Sequence, residues 1–338
     1  MITNHLFSFK NSQPSEAIIA VTLNCNARCT MCNIWQNKIK NEIKPEFYKK
    51  LPPSLKEINI TGGEPFLRSD IDEIIKTIKE TCPKARLLIN SNGYLTSQIK
   101  KIVPKILQYD PNIAIRISLD GFSQLHTTLR GLPNFFEHAM ESLMYLKKLG
   151  IKDLGISYTL MEKNKTELIR LFNFCEKNNF EFSMTVVSDS LIYFGIGKMD
   201  LRPKFDEYLS GIFNYVQKKQ YKSTSPKKWF RAWFEKQLYK YIDKSVRYFD
   251  CTAGKEFFYI DSIGRVYTCH LKPWLMGSLL DKSFNDIYFS KQAEVFRHKA
   301  QSCNDCWMVC TTREAIKNNF FRVLKEILKA KLKFMFQK

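Results

Sequence analysis

Cys25-Asn26-Ala27-Arg28-Cys29-Thr30-Met31-Cys32 follows directly on an apolar, β-branched run from Ala17 to Leu23. Such a run is a buried strand by composition, so the three thiols sit on the loop at its carboxyl end. Three thiolates at this spacing suit three irons of a four-iron cubane, and protein cubanes usually take four cysteines. A local set of three leaves one iron open, where a small molecule can bind and be reduced. Zinc accepts similar spacing, and the residues downstream separate the two.

The chain of 338 residues has room for one large domain and a smaller one. Its 53 Lys and Arg against 33 Asp and Glu give a net charge of +20. A solvated lysine-rich surface accounts for that excess, and so does attraction to phosphate on a substrate, a nucleic acid or an anionic membrane. No apolar stretch reaches the ~18 residues of a membrane span. Met1–Lys10 lacks the apolar run of a signal peptide, so a cytoplasmic location is expected. There, ten cysteines point to metal or cluster ligation rather than disulfides.

Hydrophobic pattern predicts strands over 17–23, 57–61, 86–90, 112–119, 154–160 and 182–187. Between them it predicts helices over 45–51, from Ile71 (N-capped by Asp70) to near Cys82, and over 96–107, 134–149 and 166–178. This alternation implies a parallel sheet with right-handed crossovers, its functional residues at the carboxyl ends of strands. Periodicity leaves a barrel and a doubly wound sheet both open. The α/β half spans 1–197. Residues 198–250, with Trp229-Phe230-Arg231-Ala232-Trp233-Phe234, form a helical connector whose lysines snorkel. A cysteine-rich module occupies 251–312, and 313–338 is expected as one continuous basic amphipathic helix.

Gly62-Gly63-Glu64 closes the second strand. Two glycines permit close backbone approach to a ligand, and a carboxylate beside them can hold an ammonium group. A CxxxCxxC loop with Met31 before its third cysteine, followed by Gly-Gly-Glu at the next strand end, resembles the radical S-adenosylmethionine (radical SAM) superfamily. The resemblance implies an α/β fold, a partial (β/α)6 TIM-like barrel. It also implies a [4Fe-4S] cluster on Cys25, Cys29 and Cys32, with SAM on the open iron through its amino and carboxylate groups. Met31 belongs to that cofactor loop, and Glu64 with the backbone of Gly62 and Gly63 takes the amino group. Ser118-Leu119-Asp120-Gly121, His126 and Arg130-Gly131 resemble a segment of the branch with C-terminal cluster domains. By that likeness Ser118 meets the ribose or carboxylate of SAM, Arg130 pairs with the carboxylate, Asp120 faces SAM or substrate, and Asn90 is a further polar contact. His126 reads as structural. The chemistry implied is reductive cleavage of SAM to a 5′-deoxyadenosyl radical that takes hydrogen from a substrate carbon. A flavodoxin or ferredoxin is the expected reductant.

Cys251, Gly264 and Cys269, then Cys303, Cys306 and Cys310, resemble the start of a SPASM or twitch auxiliary-cluster domain. A full SPASM motif has seven cysteines and this module five. One four-iron cluster takes four, so a single auxiliary [4Fe-4S] cluster is implied. The spare thiol among Cys303, Cys306 and Cys310 is either a buried non-ligand or a hydrogen-atom donor to a substrate radical. Cys82 and Cys175 are expected in the core. In the tail, Ile316, Phe320, Val323, Leu324, Ile327 and Leu328, extended by Leu332, Phe334, Met335 and Phe336, make an apolar stripe among lysines. Lying peripherally on an anionic inner membrane face and packing on the barrel or a second subunit are both open. The expected substrate is sugar-like, phosphorylated or lipid-linked, and is oxidised or epimerised; peptide maturation is the alternative. A non-catalytic metal-containing nucleic-acid-binding protein is the reading from another class, and nucleic acid is not the expected partner.

Overall fold

Six strands run parallel and pair in sequence order: β1 (Glu16–Thr22), β2 (Glu57–Gly62), β3 (Arg86–Ser91), β4 (Ala114–Ser118), β5 (Asp153–Leu160) and β6 (Glu181–Val186). The computed structural model describes residues 13–195 and 197–336; Met1–Lys10 and the side chains of Met335 and Phe336 lie outside the description. The connecting helices are α1 (Ile71–Thr81), α2 (Thr96–Tyr109), α3 (Ser123–Arg130), α4 (Phe135–Lys148) and α5 (Leu168–Asn178). A doubly wound sheet reverses its strand order at a switch point. Here the order never reverses, which makes the wall of a partial barrel.

Burial alternates along β2, β3 and β6, as a strand with two unlike faces requires. Ile58, Ile60, Leu87, Ile89, Phe182 and Met184 are buried in the core with helix residues such as Ile74, Ile78 and Ile99. The other face carries half-buried Asn59, Thr61, Asn90, Ser183 and Thr185. Ser157 and Thr159 continue this polar row on β5.

The cysteine-rich module extends the same sheet. β7 (Phe257–Ile260) runs parallel to β1 from Glu16↔Phe257 to Ile19↔Ile260, and β8 (Arg265–Tyr267) and β9 (Leu275–Ser278) follow antiparallel. The connector forms α6 (Glu207–Lys222) and α7 (Pro226–Lys244), and α8 (Phe284–Tyr288) and α9 (Lys291–Gln301) follow the hairpin. The tail departs from expectation. It is two helices, α10 (Val309–Asn318) and α11 (Phe320–Phe336). Asn319 breaks them: its side-chain amide donates to Ala315 O at 2.9 Å and its own backbone is non-helical, the competition with the helix ladder that Asn offers. The stripe is divided as well. Val323 and Ile327 are buried, Phe334 stacks on Tyr221, and Trp233 Nε1 donates to Glu326 at 2.9 Å, so this side packs on the connector. Asp70 does stand at the start of α1, yet its carboxylate takes Arg68 at 2.8 and 2.7 Å instead of capping the helix.

Candidate functional site

The loop after β1 is held from behind by the end of α3. Arg28 N–H donates to Arg130 O and Thr30 N–H to Leu129 O, both at 2.9 Å. The glycines after β2 are sterically required. A Cβ on Gly62 (φ +140°) would lie 2.0 Å from Thr22 O, and one on Gly63 2.0 Å from Asn24 O. The Gly-Gly turn therefore exists to let β2 close on the cysteine loop, whatever it does for a ligand.

Each of the three thiols has a donor aimed at its sulfur: Asn92 Nδ2 on Cys25 at 3.9 Å, Arg130 Nη1 on Cys29 at 3.7 Å and Ile34 N–H on Cys32 at 3.5 Å. Burial pushes the Cys25 thiol up to about 12 and that of Cys32 to about 11, and it raises Cys29 as well. Buried thiols that resist ionisation yet sit among N–H donors suit thiolates formed by displacing the proton with iron. Among the described residues no three His, Cys, Asp or Glu converge on one ion position; a cubane binds each thiolate at a separate iron and needs no such convergence. Met31, placed with the cofactor by resemblance, is instead buried in the apolar core and anchors the loop.

Glu64 is fully buried. Its Oε1 accepts from Ser91 Oγ (2.8 Å) and Phe66 N–H (3.1 Å), and its Oε2 from Asn92 N–H (2.7 Å). Burial nonetheless pushes its carboxyl up to about 7. A carboxylate offers about four lone-pair positions, so one remains for an ammonium group, and the residues fit SAM. Gly62 is already engaged by Tyr193, whose hydroxyl donates to Gly62 O (2.6 Å) and accepts from Gly62 N–H (3.0 Å). Tyr193, Ser91 and Asn92 were not singled out from the sequence; only their distance-spanning contacts reveal them.

The segment after β4 pairs two of the expected residues with each other. Asp120 is wholly buried, with Oδ1 accepting from Thr159 N–H (2.8 Å) and Oδ2 paired with Arg130 Nη2 at 2.5 Å. Arg130 thus already has a protein carboxylate as a partner. His126 is structural, a buried imidazole held neutral that accepts from Asp120 N–H at 3.0 Å. Ser118 is half-buried at the end of β4. Asn90 faces the barrel interior, where it bonds Asn59 and accepts from Ser157 Oγ at 3.3 Å.

Below this polar row the interior carries a chain of ion pairs. Arg86 bridges Glu57 (2.9 Å) and Asp153 (2.6 Å), Arg116 also takes Asp153 (2.6 Å), and Arg313 joins Glu16 (2.8 Å) to Glu57 (3.4 Å). Although burial opposes it, Arg116 and Arg86 hold the Asp153 carboxyl far below the usual range. Charge on this face is spent within the protein. The remaining surface offers hydroxyls and amides.

In the C-terminal module the other four thiols gather about Cys306. Cys251, Cys269 and Cys306 are buried, and Cys303 and Cys310 both pack against them. Cys310, on α10, adjoins Cys306, and it also lines a small hollow at the barrel floor with Glu16, Ile18, Asn59, Leu88 and Arg313. Cys82 and Cys175 are buried in the core.

Residues 19–175 match the family model of the radical SAM superfamily, and residues 251–307 match the SPASM iron–sulfur cluster-binding domain, a span that stops short of Cys310. AdoMet-dependent heme synthase of Methanosarcina barkeri is 24% identical over 300 residues, covering 82% of this chain and 82% of that protein. GTP 3',8-cyclase of Aliarcobacter butzleri is 27% identical over 172 residues, covering 48% of this chain and 52% of the relative, about half its length. The crystal structure of Streptococcus suis SuiB bound to S-adenosylmethionine superposes with a TM-score of 0.65 at 19% identity, over 85% of this chain and 68% of that one. At that identity the likeness is one of fold.

Proposed function

This chain is a radical SAM enzyme with a C-terminal SPASM domain, and we propose that it removes hydrogen from a carbon of a neutral, hydroxyl-rich, sugar-like substrate and epimerises it. The barrel interior carries this reading: Asn59, Thr61, Asn90, Ser157, Thr159, Ser183 and Thr185 present hydroxyls and amides, while the charged side chains below them are ion-paired. Cys25, Cys29 and Cys32 would hold the SAM-binding [4Fe-4S] cluster, which when reduced supplies the electron that splits SAM into methionine and a 5′-deoxyadenosyl radical. Glu64 would accept the ammonium of SAM, and Ser118 and Asn90 would line the approach from β4 and β3.

Cys251, Cys269, Cys303 and Cys306 would hold the auxiliary cluster, and Cys310 is taken as the free thiol because it lines the barrel-floor hollow and lies beyond the SPASM match. Gly62 at the rim and Asn59 beside Cys310 are three residues apart on β2, about 10 Å along the strand. A substrate between them meets radical chemistry from above and an S–H from below. Cys310 gives its hydrogen atom to the substrate radical, a C–H bond forms on the opposite face, and a thiyl radical remains. One electron from the external low-potential reductant and one solvent proton restore the thiol.

The test is anaerobic turnover in deuterated water with dithionite, SAM and free, phosphorylated or lipid-linked saccharides. One substrate should release 5′-deoxyadenosine and gain one deuterium at an inverted carbon. Cys310→Ala should keep its iron and its deoxyadenosine but lose the deuterated epimer; an unchanged epimer yield removes Cys310 from the reaction. Turnover of a peptide instead of every saccharide would replace the substrate reading.

The outward face of α11 exposes Phe321 (84%), Leu328 and Leu332 among exposed Arg322, Lys325, Lys329 and Lys333. No described helix is long and apolar enough to cross a membrane. This face instead suits peripheral docking on anionic lipid. Burial of each apolar group in lipid contributes on the order of 1 kcal/mol, so Phe321→Ser/Leu328→Ser/Leu332→Ser should weaken binding to phosphatidylglycerol vesicles roughly a hundredfold. Equal sedimentation of both proteins with vesicles ends the proposal.

A further inference from the structure

Arg247 lies between α7 and Cys251 and is only 7% exposed. Its guanidinium is spent on the cysteine-rich segment. Nη1 donates to Cys306 O (2.6 Å), Thr311 Oγ1 (3.3 Å) and Cys306 Sγ (3.4 Å), and Nη2 to Thr311 O (2.9 Å). Nε donates to Phe249 O at 3.2 Å, and the group sits 5.6 Å from the centre of the Trp307 ring. None of these partners is a carboxylate. A buried cation without a counter-ion is strongly disfavoured, and the group it touches that can become anionic is the Cys306 sulfur.

The SAM-cluster loop shows the same contact with a different charge balance. Arg130 reaches Cys29 Sγ, but it is paired at 2.5 Å with Asp120, so its charge is cancelled locally. Arg247 has no such partner among the described residues. One cluster site thus faces a neutral ion pair, the other a net positive charge in a low-dielectric interior.

We propose that Arg247 is a positioning residue of the auxiliary cluster: its guanidinium fixes Cys306 and holds an uncompensated positive charge against the thiolate set, raising that cluster's reduction potential above that of the SAM-binding cluster. Reduction adds negative charge, so a nearby fixed cation stabilises the reduced form, and hydrogen bonds to cluster sulfurs act in the same direction. Lys carries the charge but not the planar fork that spans Cys306 O, Cys306 Sγ and Thr311 O together. The inference rests on Cys306 being a cluster ligand.

The experiment uses the full chain with Cys25, Cys29 and Cys32 all changed to Ala, so that only the auxiliary cluster remains. Iron and sulfide are quantified after anaerobic reconstitution, and the reduced cluster is followed by EPR through a redox titration. With Arg247 present, four irons per chain are expected, at a midpoint less negative than that of the SAM-binding cluster in a Cys269→Ala chain. Arg247→Gln and Arg247→Met should both shift the midpoint negative, with Arg247→Lys between them and the parent. A purely structural Arg247 would lower thermal stability and leave the midpoint where it was; an unmoved midpoint in an iron-loaded Gln or Lys variant overturns the proposal. Absence of iron from the Arg247 parent overturns it too, but by removing the ligand assignment beneath it.

Discussion

Cys29→Ala should abolish 5′-deoxyadenosine formation, a loss of roughly a thousandfold or more, while four irons remain on the C-terminal module. Among the three loop thiols, Cys29 is the one that Arg130 reaches, and its neighbours Arg28 and Thr30 are tied by their amides to Arg130 and Leu129. The loop's shape will therefore survive the substitution; the third iron-binding sulfur will not. With only Cys25 and Cys32, a cubane has two protein ligands and no fixed vacant corner at which an amino-acid ligand can chelate. Cys269→Ala is the contrast. It removes an auxiliary ligand and should leave much of the deoxyadenosine release intact while product formation fails. Iron and sulfide analysis with chromatography of the nucleoside reads both variants. Continued SAM cleavage by Cys29→Ala would refute the assignment of this loop.

What the sequence made legible is local or periodic. The cysteine loop and the Gly-Gly-Glu turn are contiguous; β2, β3 and β6 announce themselves because one face of each is buried while the other is not, and β1 because it is a continuous apolar run buried on both faces. The short helix α3 escaped notice: its eight residues carry few apolar positions, too few for a periodic signal. The break at Asn319 escaped because the apolar stripe runs on through it, although the helix does not. Roles set by distant partners were out of reach. Arg247 meets Cys306 across 59 residues and Tyr193 meets Gly62 across 131. Nothing adjacent to either marks it. Family likeness matches Arg130 to a ligand, and its partner within the fold, Asp120, shows only in three dimensions.

That pair yields the largest expected loss of stability. Asp120 is wholly buried and Arg130 nearly so. Burial pushes the Asp120 carboxyl up even with Arg130 opposing it, so the charged pair persists only while both members are present. Asp120→Ala strands the guanidinium and also leaves Thr159 N–H without its acceptor. Breaking one side of a buried pair costs about 3–5 kcal/mol, or roughly 4–7 °C of melting temperature for a chain of this length. Arg130→Met should cost a similar amount, since it strands the carboxylate. Asp120→Leu/Arg130→Met removes both charges, and buried ion pairs replaced by apolar groups are often neutral; most of the lost stability should return in the double variant. SAM cleavage should not return, because Arg130 also donates to Cys29 Sγ, and methionine offers that sulfur no hydrogen. Thermal unfolding of the single and double variants, set beside deoxyadenosine release, separates the two contributions of one residue. If the two stability losses simply add, the pair is not what holds α3 beneath the loop, and the loop must be shaped by the backbone bonds from Arg28 and Thr30 alone.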